Sequence, residues 1–249
     1  MATYLVEVND LWKSFGKIRA VRGISFRLEP GQIHGLLGPN GSGKTTTLRC
    51  IVGLLRPDRG TVKIAGEEIS KTDSYKRTVG YLPENPSLPE YLTVEEFLIF
   101  SAKLKGLDAE RVRRDVSHLM DAFGLVDVSD RLIYELSKGV RQRVAVSASL
   151  VGEPPILIMD EPFNGLDPEA QKTTKDFINI TVERGGAVLI STHLLDSAEK
   201  ICNYASVIAE GTLLQSSPLY ELKRYNGGKS LEEIFIEMVS RRRIRKIDS

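Results

Sequence analysis

Apolar residues in this chain fall into short runs separated by longer stretches with helical spacing. Residues 33–37, 156–159, 187–191 and 205–208 are runs rich in Leu, Ile, Val or Ala and bounded by turn residues or charges. Runs of that length and make-up read as buried strands. Helical stretches separate them, which predicts an α/β domain with a mainly parallel sheet. The opening third differs. Residues 4–8, 24–28 and 61–64 are strand-like with short connections, and predict an antiparallel β element beside the main sheet.

From about residue 92 to 152 the pattern turns helical. Thr93 followed three residues later by Glu96 is a capping-box start. Val112, Val116, Leu119, Met120 and Phe123 keep helical spacing, and Gly124 ends the run. Near the end, Leu231, Ile234, Phe235, Met238 and Val239 form the apolar stripe of a short packing helix. The chain thus reads as one domain. Residues 1–91 and 153–215 form its α/β core, 92–152 an inserted helical lobe, and 216–249 a helical tail.

Composition narrows the picture without deciding it. A length of 249 residues suits one large domain, and 41% hydrophobic with 27% charged residues is ordinary for a globular protein. A net charge of +1 gives nucleic acid little to hold, so no nucleic-acid partner is expected. Cys50 and Cys202 form no C-x-x-C pair, which argues against a zinc cluster or disulfide framework and fits a reducing compartment. The first ten residues carry acids and no apolar run, unlike a signal peptide. No run of about 18 apolar residues occurs, so any path across a membrane belongs to another chain.

The chemistry begins at Gly38-Pro39-Asn40-Gly41-Ser42-Gly43-Lys44-Thr45. This segment follows the strand at 33–37 and opens a helix expected over 44–55, the context that a G-x-x-x-x-G-K-[ST] phosphate loop requires. Its glycines let backbone N–H groups turn toward phosphate oxygens, and the helix start adds positive potential. Lys44 is expected to reach the outer phosphates, the Thr45 hydroxyl to bind Mg²⁺, and Thr46 to belong to the same nucleotide-binding set. The strand at 156–159 ends in Asp160 and Glu161. At that edge of a parallel sheet they face a ligand crevice. Asp160 is expected to hold Mg²⁺ and Glu161 to polarise the attacking water. The fold expected is a P-loop NTPase core using ATP and Mg²⁺.

Leu136-Ser137-Lys138-Gly139-Val140-Arg141-Gln142 resembles the L-S-G-G-Q signature of ABC ATPases, and Ser137 precedes Asp160 by 160 − 137 = 23 residues, as in that family. The resemblance extends over almost the whole chain. Phe15 resembles the aromatic residue that stacks on adenine, the competing reading being a core Phe near a turn. Asn164-Gly165-Leu166-Asp167 resembles the loop that contacts a partner subunit. His193, after Ser191-Thr192, resembles the switch histidine that touches the γ-phosphate; His34 and His118 lack that context and read as structural. Tyr81-Leu82-Pro83-Glu84-Asn85 resembles the glutamine loop, with Glu84 as the metal-side residue. The resemblance implies a head-to-tail dimer in which Ser137 and Gly139 act on the partner's nucleotide. It also implies a transmembrane permease, a second ATPase subunit (identical or related), and a peripheral place on the cytoplasmic face of the membrane.

Three positions depart from the family pattern. Lys138 stands where Gly is usual, Val140 where Gln is usual, and Glu84 where Gln is usual. These variations resemble an exporter branch whose ATPase and permease are separate chains. Two other readings compete with a transporter: a soluble ABC ATPase acting on ribosomes or DNA, and a P-loop kinase. The single cassette and the absence of sustained heptads weigh against the first, and the signature segment and His193 against the second. The basic run Arg241-Arg242-Arg243 with Arg245 and Lys246 reads either as a contact for anionic lipid or as a solvated tail.

Overall fold

The computed structural model describes residues 4–247. In chain order the elements are strands β1 (Val6–Phe15), β2 (Ile18–Leu28) and β3 (Ile33–Leu37), helix α1 (Lys44–Ile51), and strands β4 (Arg59–Ile64), β5 (Glu67–Glu68) and β6 (Val79–Leu82). Helices α2 (Val94–Leu104), α3 (Ala109–Ala122) and α4 (Lys138–Leu150) follow, then β7 (Ile156–Asp160), α5 (Pro168–Glu183) and β8 (Ala187–Thr192). The chain continues with α6 (Leu195–Ile201), β9 (Tyr204–Ala209), β10 (Thr212–Pro218), α7 (Leu219–Tyr225) and α8 (Leu231–Ile247). Two compact units result, one from residues up to Thr72 and from Leu189 on, the other from Asp73–Val188.

The first unit holds an antiparallel sheet of order β2-β1-β4-β5. Here β1 and β2 outrun the apolar runs that announced them, residues 4–8 and 24–28. A register shift between Val8 and Leu11, with Asp10 at φ 46, lets β1 bend and continue to Phe15. The same unit carries strands in the order β10-β9-β3-β8, with β3 parallel and β10 antiparallel to β9. Every residue of β3 is buried, His34 included. Its Nε2 lies 2.8 Å from Ser206 Oγ, and its ring sits between Phe26 and Tyr204. Helix α1 stops at Ile51, short of the expected 55, because Gly53 takes φ 73 and turns the chain away. The expected short C-terminal helix is α8, 17 residues long. Its start is fixed by Glu199, which accepts from Leu231 N at 2.8 Å and pairs with Lys223. Cys50 and Cys202 are buried, and burial pushes their thiols up to about 11 and about 12.

In the second unit β6 and β7 pair in parallel, Leu82 opposite Met159. Helix α4 lies directly on β6: a Cβ on Gly80 would stand 2.1 Å from Ser149 O. The capping box at Thr93 and Glu96 forms, with bonds of 2.9 and 3.2 Å. Gly106, at φ 80, ends α2, and Asp108 caps α3 by accepting from Arg111 N at 2.9 Å. Val94, Leu98 and Ala102 of α2, and Val112, Val116 and Leu119 of α3, turn inward at helical spacing. Lys105 donates to Val79 O at 2.6 Å, and burial lowers its ammonium to about 8. Among the described residues no helix is long and apolar enough to cross a membrane. Residues 248 and 249, and the side chains of the basic run from Arg241, lie outside what is described.

Burial holds the His34 pKa down to about 3, against 6.5 for an unburied imidazole. Below pH 6.5 the unfolded chain takes up a proton that the folded chain refuses, so stability falls with pH until about 3. The slope approaches about 1.4 kcal/mol per pH unit. Denaturant unfolding at pH 7, 6 and 5 should show this loss, and His34→Leu, although less stable at pH 7, should show a shallower one.

Candidate nucleotide site

In the first unit the phosphate loop leaves the carboxyl end of β3 and enters α1 at Lys44. Gly43 occupies the N-cap position at φ 104 and offers no side chain to the first turn. The amides of that turn are therefore left for an anion. Lys44 is 6% exposed, and its ammonium donates to the loop carbonyls of Gly38 (2.7 Å) and Pro39 (3.2 Å). Ser42 Oγ is buried without a hydrogen-bond partner among the described residues. A phosphate oxygen would supply the acceptor that this hydroxyl lacks. Thr45 and Thr46 are half-buried at the helix start.

The loop has walls that no motif in the sequence announces. A Cβ on Gly38 would stand 2.3 Å from Ile208 O, and one on Gly43 would stand 2.4 Å from Ala20 O. Gly211 N donates to Ser42 O at 2.9 Å, and Arg22 N to Gly211 O at 2.7 Å. Thus β2 and the β9–β10 turn clamp the loop. The turn itself is Glu210-Gly211, with both residues at positive φ. Nothing in the local sequence of Ala20, Ile208 or Gly211 signals a role beside the phosphate loop.

Phe15 ends β1 at the tip of the hairpin with β2 and is 47% exposed, so it is not a core residue. Lys13 Nζ stands 5.7 Å from its ring centre. His193 follows the end of β8 and is exposed. It lines a cleft with residues 38–40 of the phosphate loop.

The second unit carries the acidic residues. Asp160 ends β7 and is 1% exposed; Glu161, 5% exposed, takes φ 50. A left-handed non-glycine residue stores about 1–3 kcal/mol of strain and is characteristic of functional positions. The register Leu82 opposite Met159 brings Glu84, two residues beyond β6, to the same carboxyl edge as Asp160 and Glu161. Ser137 caps α4, accepting from Val140 N at 3.4 Å. Gly139 sits against the loop after the acidic pair: a Cβ there would lie 3.4 Å from Gly165 O. Asp167 caps α5 through Ala170 N at 2.8 Å, with Pro168 at the first helical position, so the Asp-Pro pair in the sequence marks this helix start. Gln171 Nε2 donates to Leu166 O at 3.1 Å and steadies that loop.

In the second unit the carboxylates of Asp160 and Glu84 are hard oxygen donors of the kind that suit Mg²⁺, and in the first unit the Thr45 hydroxyl is another. Among the described residues no cluster of three or more His, Cys, Asp or Glu could cage a metal.

The loop geometry makes a graded expectation. Gly43→Ala forces a strained φ and a clash with Ala20 O, and should lower stability by about 2 kcal/mol or more and abolish ATP binding. Gly41, at φ 76 with nothing within 4 Å of an added Cβ, should lose only about 1 kcal/mol as Gly41→Ala. Thermal melts and fluorescent-nucleotide titration of both variants check the order.

The ABC transporter family model matches residues 21–164. The chain is 36% identical over 230 residues to the daunorubicin/doxorubicin resistance ATP-binding protein DrrA of Streptomyces peucetius, covering 92% of this chain and 70% of that one. It is 36% identical over 231 residues to the Nod factor export ATP-binding protein I of Paraburkholderia xenovorans, covering 92% of this chain and 76% of the relative. A solved structure described as an ATP binding subunit of an ABC transporter superposes with a TM-score of 0.90 at 34% identity, over 94% of this chain and 99% of that one.

Proposed function

The chain belongs to the ABC transporter family as an ATP-binding and ATP-hydrolysing subunit, and from that premise we propose how its residues divide the work. The observation that carries the proposal is the clamped phosphate loop, with its uncapped helix start, buried Ser42 hydroxyl and buried Lys44. Backbone amides of residues 38–43 hold the β- and γ-phosphates of ATP, and Lys44 turns from the loop carbonyls to the phosphate oxygens. Phe15 stacks on adenine, with Lys13 close to its ring. Thr45, Asp160 and Glu84 would hold Mg²⁺, which would supply charge that offsets the phosphate oxygens. Glu161 takes a proton from the attacking water, from a left-handed backbone position at the end of β7. His193 senses the γ-phosphate.

Two subunits, identical or related, close head to tail on ATP. Ser137 and Gly139 of each complete the other's site through the start of α4. The driving force is the set of ligand contacts made only in the closed state. Closure is passed to a separate transmembrane permease at the cytoplasmic face of the membrane. Export is the direction proposed, supported by the departures at Glu84, Lys138 and Val140 and by the names of the relatives.

The permease docks on the segment from 84 to 100. Within the second unit, Asn85, Ser87, Leu88, Glu90 and Arg141 line a cavity of about 340 Å³, and Tyr91 beside it is 86% exposed. Arg141 also donates to Tyr134 O at 2.5 Å and Leu136 O at 3.2 Å, so this cavity shares a residue with the signature helix.

Two outcomes check these assignments. Glu161→Gln should bind ATP and dimerise, yet turn over about a hundredfold more slowly or worse; unimpaired steady-state phosphate release would remove Glu161 as the base. Leu88→Glu or Tyr91→Glu should leave the ATPase of the isolated subunit within about twofold while transport in vesicles with the permease collapses. Normal transport by both variants would remove the docking surface from residues 84 to 100.

A further inference from the structure

Helix α8 presents two sides. Leu231 and Ile234 are buried in the first unit, and Glu199 anchors the helix start. Glu232, Phe235 and Ile236 instead line a cleft of about 370 Å³ whose other wall is phosphate-loop residues 38–40 and His193. Glu232 is exposed, Phe235 half-buried, and Ile236 is 55% exposed. A carboxylate beside two apolar side chains thus stands on the rim of the nucleotide loop.

The start of α4 carries the complementary chemistry. Lys138 is exposed in the first turn of that helix, and Val140 follows two residues later, half-buried. A cation in a first turn opposes the helix dipole and is mildly destabilising there. Among the described residues Lys138 makes no ion pair, and neither does Glu232. Both charges therefore lack a counter-charge among the described residues of their own chain, and the head-to-tail dimer proposed above would set the phosphate-loop side of one copy against the signature side of the other.

We propose that the Glu232–Phe235–Ile236 face of α8 is a docking surface for the signature segment of a second copy of this chain, with Glu232 paired to the partner's Lys138 and Phe235 and Ile236 covering the partner's Val140. This rests on the head-to-tail dimer proposed above. The departures at Lys138 and Val140 are then matched to α8. Two such contacts per dimer add selectivity, because like charges at that point repel a cassette that does not carry the matching pair.

The test is a charge-swap cycle in the Glu161→Gln background, reading the ATP-dependent dimer dissociation constant by analytical ultracentrifugation. Glu232→Lys and Lys138→Glu should each weaken the dimer about tenfold or more, and the double variant should recover to within about threefold of the parent. Raising the salt should narrow the gap between parent and single variants. Melting temperature and ATP affinity of each monomer establish that the fold and the loop are intact. Single variants with unchanged dimerisation, or a double variant whose losses simply add, would overturn the pairing; in the second case Lys138 would be acting on the phosphates alone. A Glu161→Gln parent that stays monomeric with ATP would defeat the dimer itself, and the pairing with it.

Discussion

Backbone crowding around the phosphate loop is the constraint on which the site depends. The carbonyl of Ile208 lies where a side chain on Gly38 would have to go, and the carbonyl of Ala20 does the same at Gly43. An anion-binding loop needs its amides turned inward against their own mutual repulsion. Here that shape is imposed from outside, by β2 on one side and the β9–β10 turn on the other. The helix start, Lys44 and the Ser42 hydroxyl can then be poised before any nucleotide arrives. Electrostatic stabilisation of transferring phosphate works best when the donors need no rearrangement at the moment of reaction.

In the second unit the strain is placed differently. Glu161 stands in the left-handed region next to the extended strand β7, so the chain turns at the residue proposed to act as the base. Asn164 N donating to Glu161 O at 3.1 Å, and the bonds of Gln171, hold that turn in place. The loop so fixed runs past Gly139. The acidic strand end and the signature helix are thereby neighbours within one unit, and a displacement of either reaches the other through backbone rather than through long flexible side chains.

Much of this was legible in the sequence, and the pattern of what was not is physical. The phosphate loop, the acidic pair and the caps at Thr93 and Ser137 are local devices, encoded by residues next to one another. The strands β3, β7, β8 and β9 were legible because burial on both faces demands continuous apolar runs. By contrast β10 was missed: all seven of its residues are half-buried, and Gln215-Ser216-Ser217 offers no alternation to read. The walls of the loop were missed because Ala20, Ile208 and Gly211 are brought to it from far along the chain, and a carbonyl can form a wall whatever side chain it carries. The break between α2 and α3 rests on Gly106 and Asp108, both visible in the sequence, but the helical spacing on either side masked it. The candidate residues of the second unit could be named individually, yet the left-handed turn at Glu161 has no signature, since a glutamate there looks like any other.

The two native cysteines carry a practical consequence. A thiol reacts as its thiolate, and burial keeps Cys50 and Cys202 protonated far above neutral pH while shielding their sulfur atoms from reagents. The folded chain is therefore expected to react slowly with maleimides and methanethiosulfonates as it stands. A spin label, fluorophore or cross-linker attached through a single introduced cysteine would therefore report from one known place, without first stripping the protein of residues that its core packing uses.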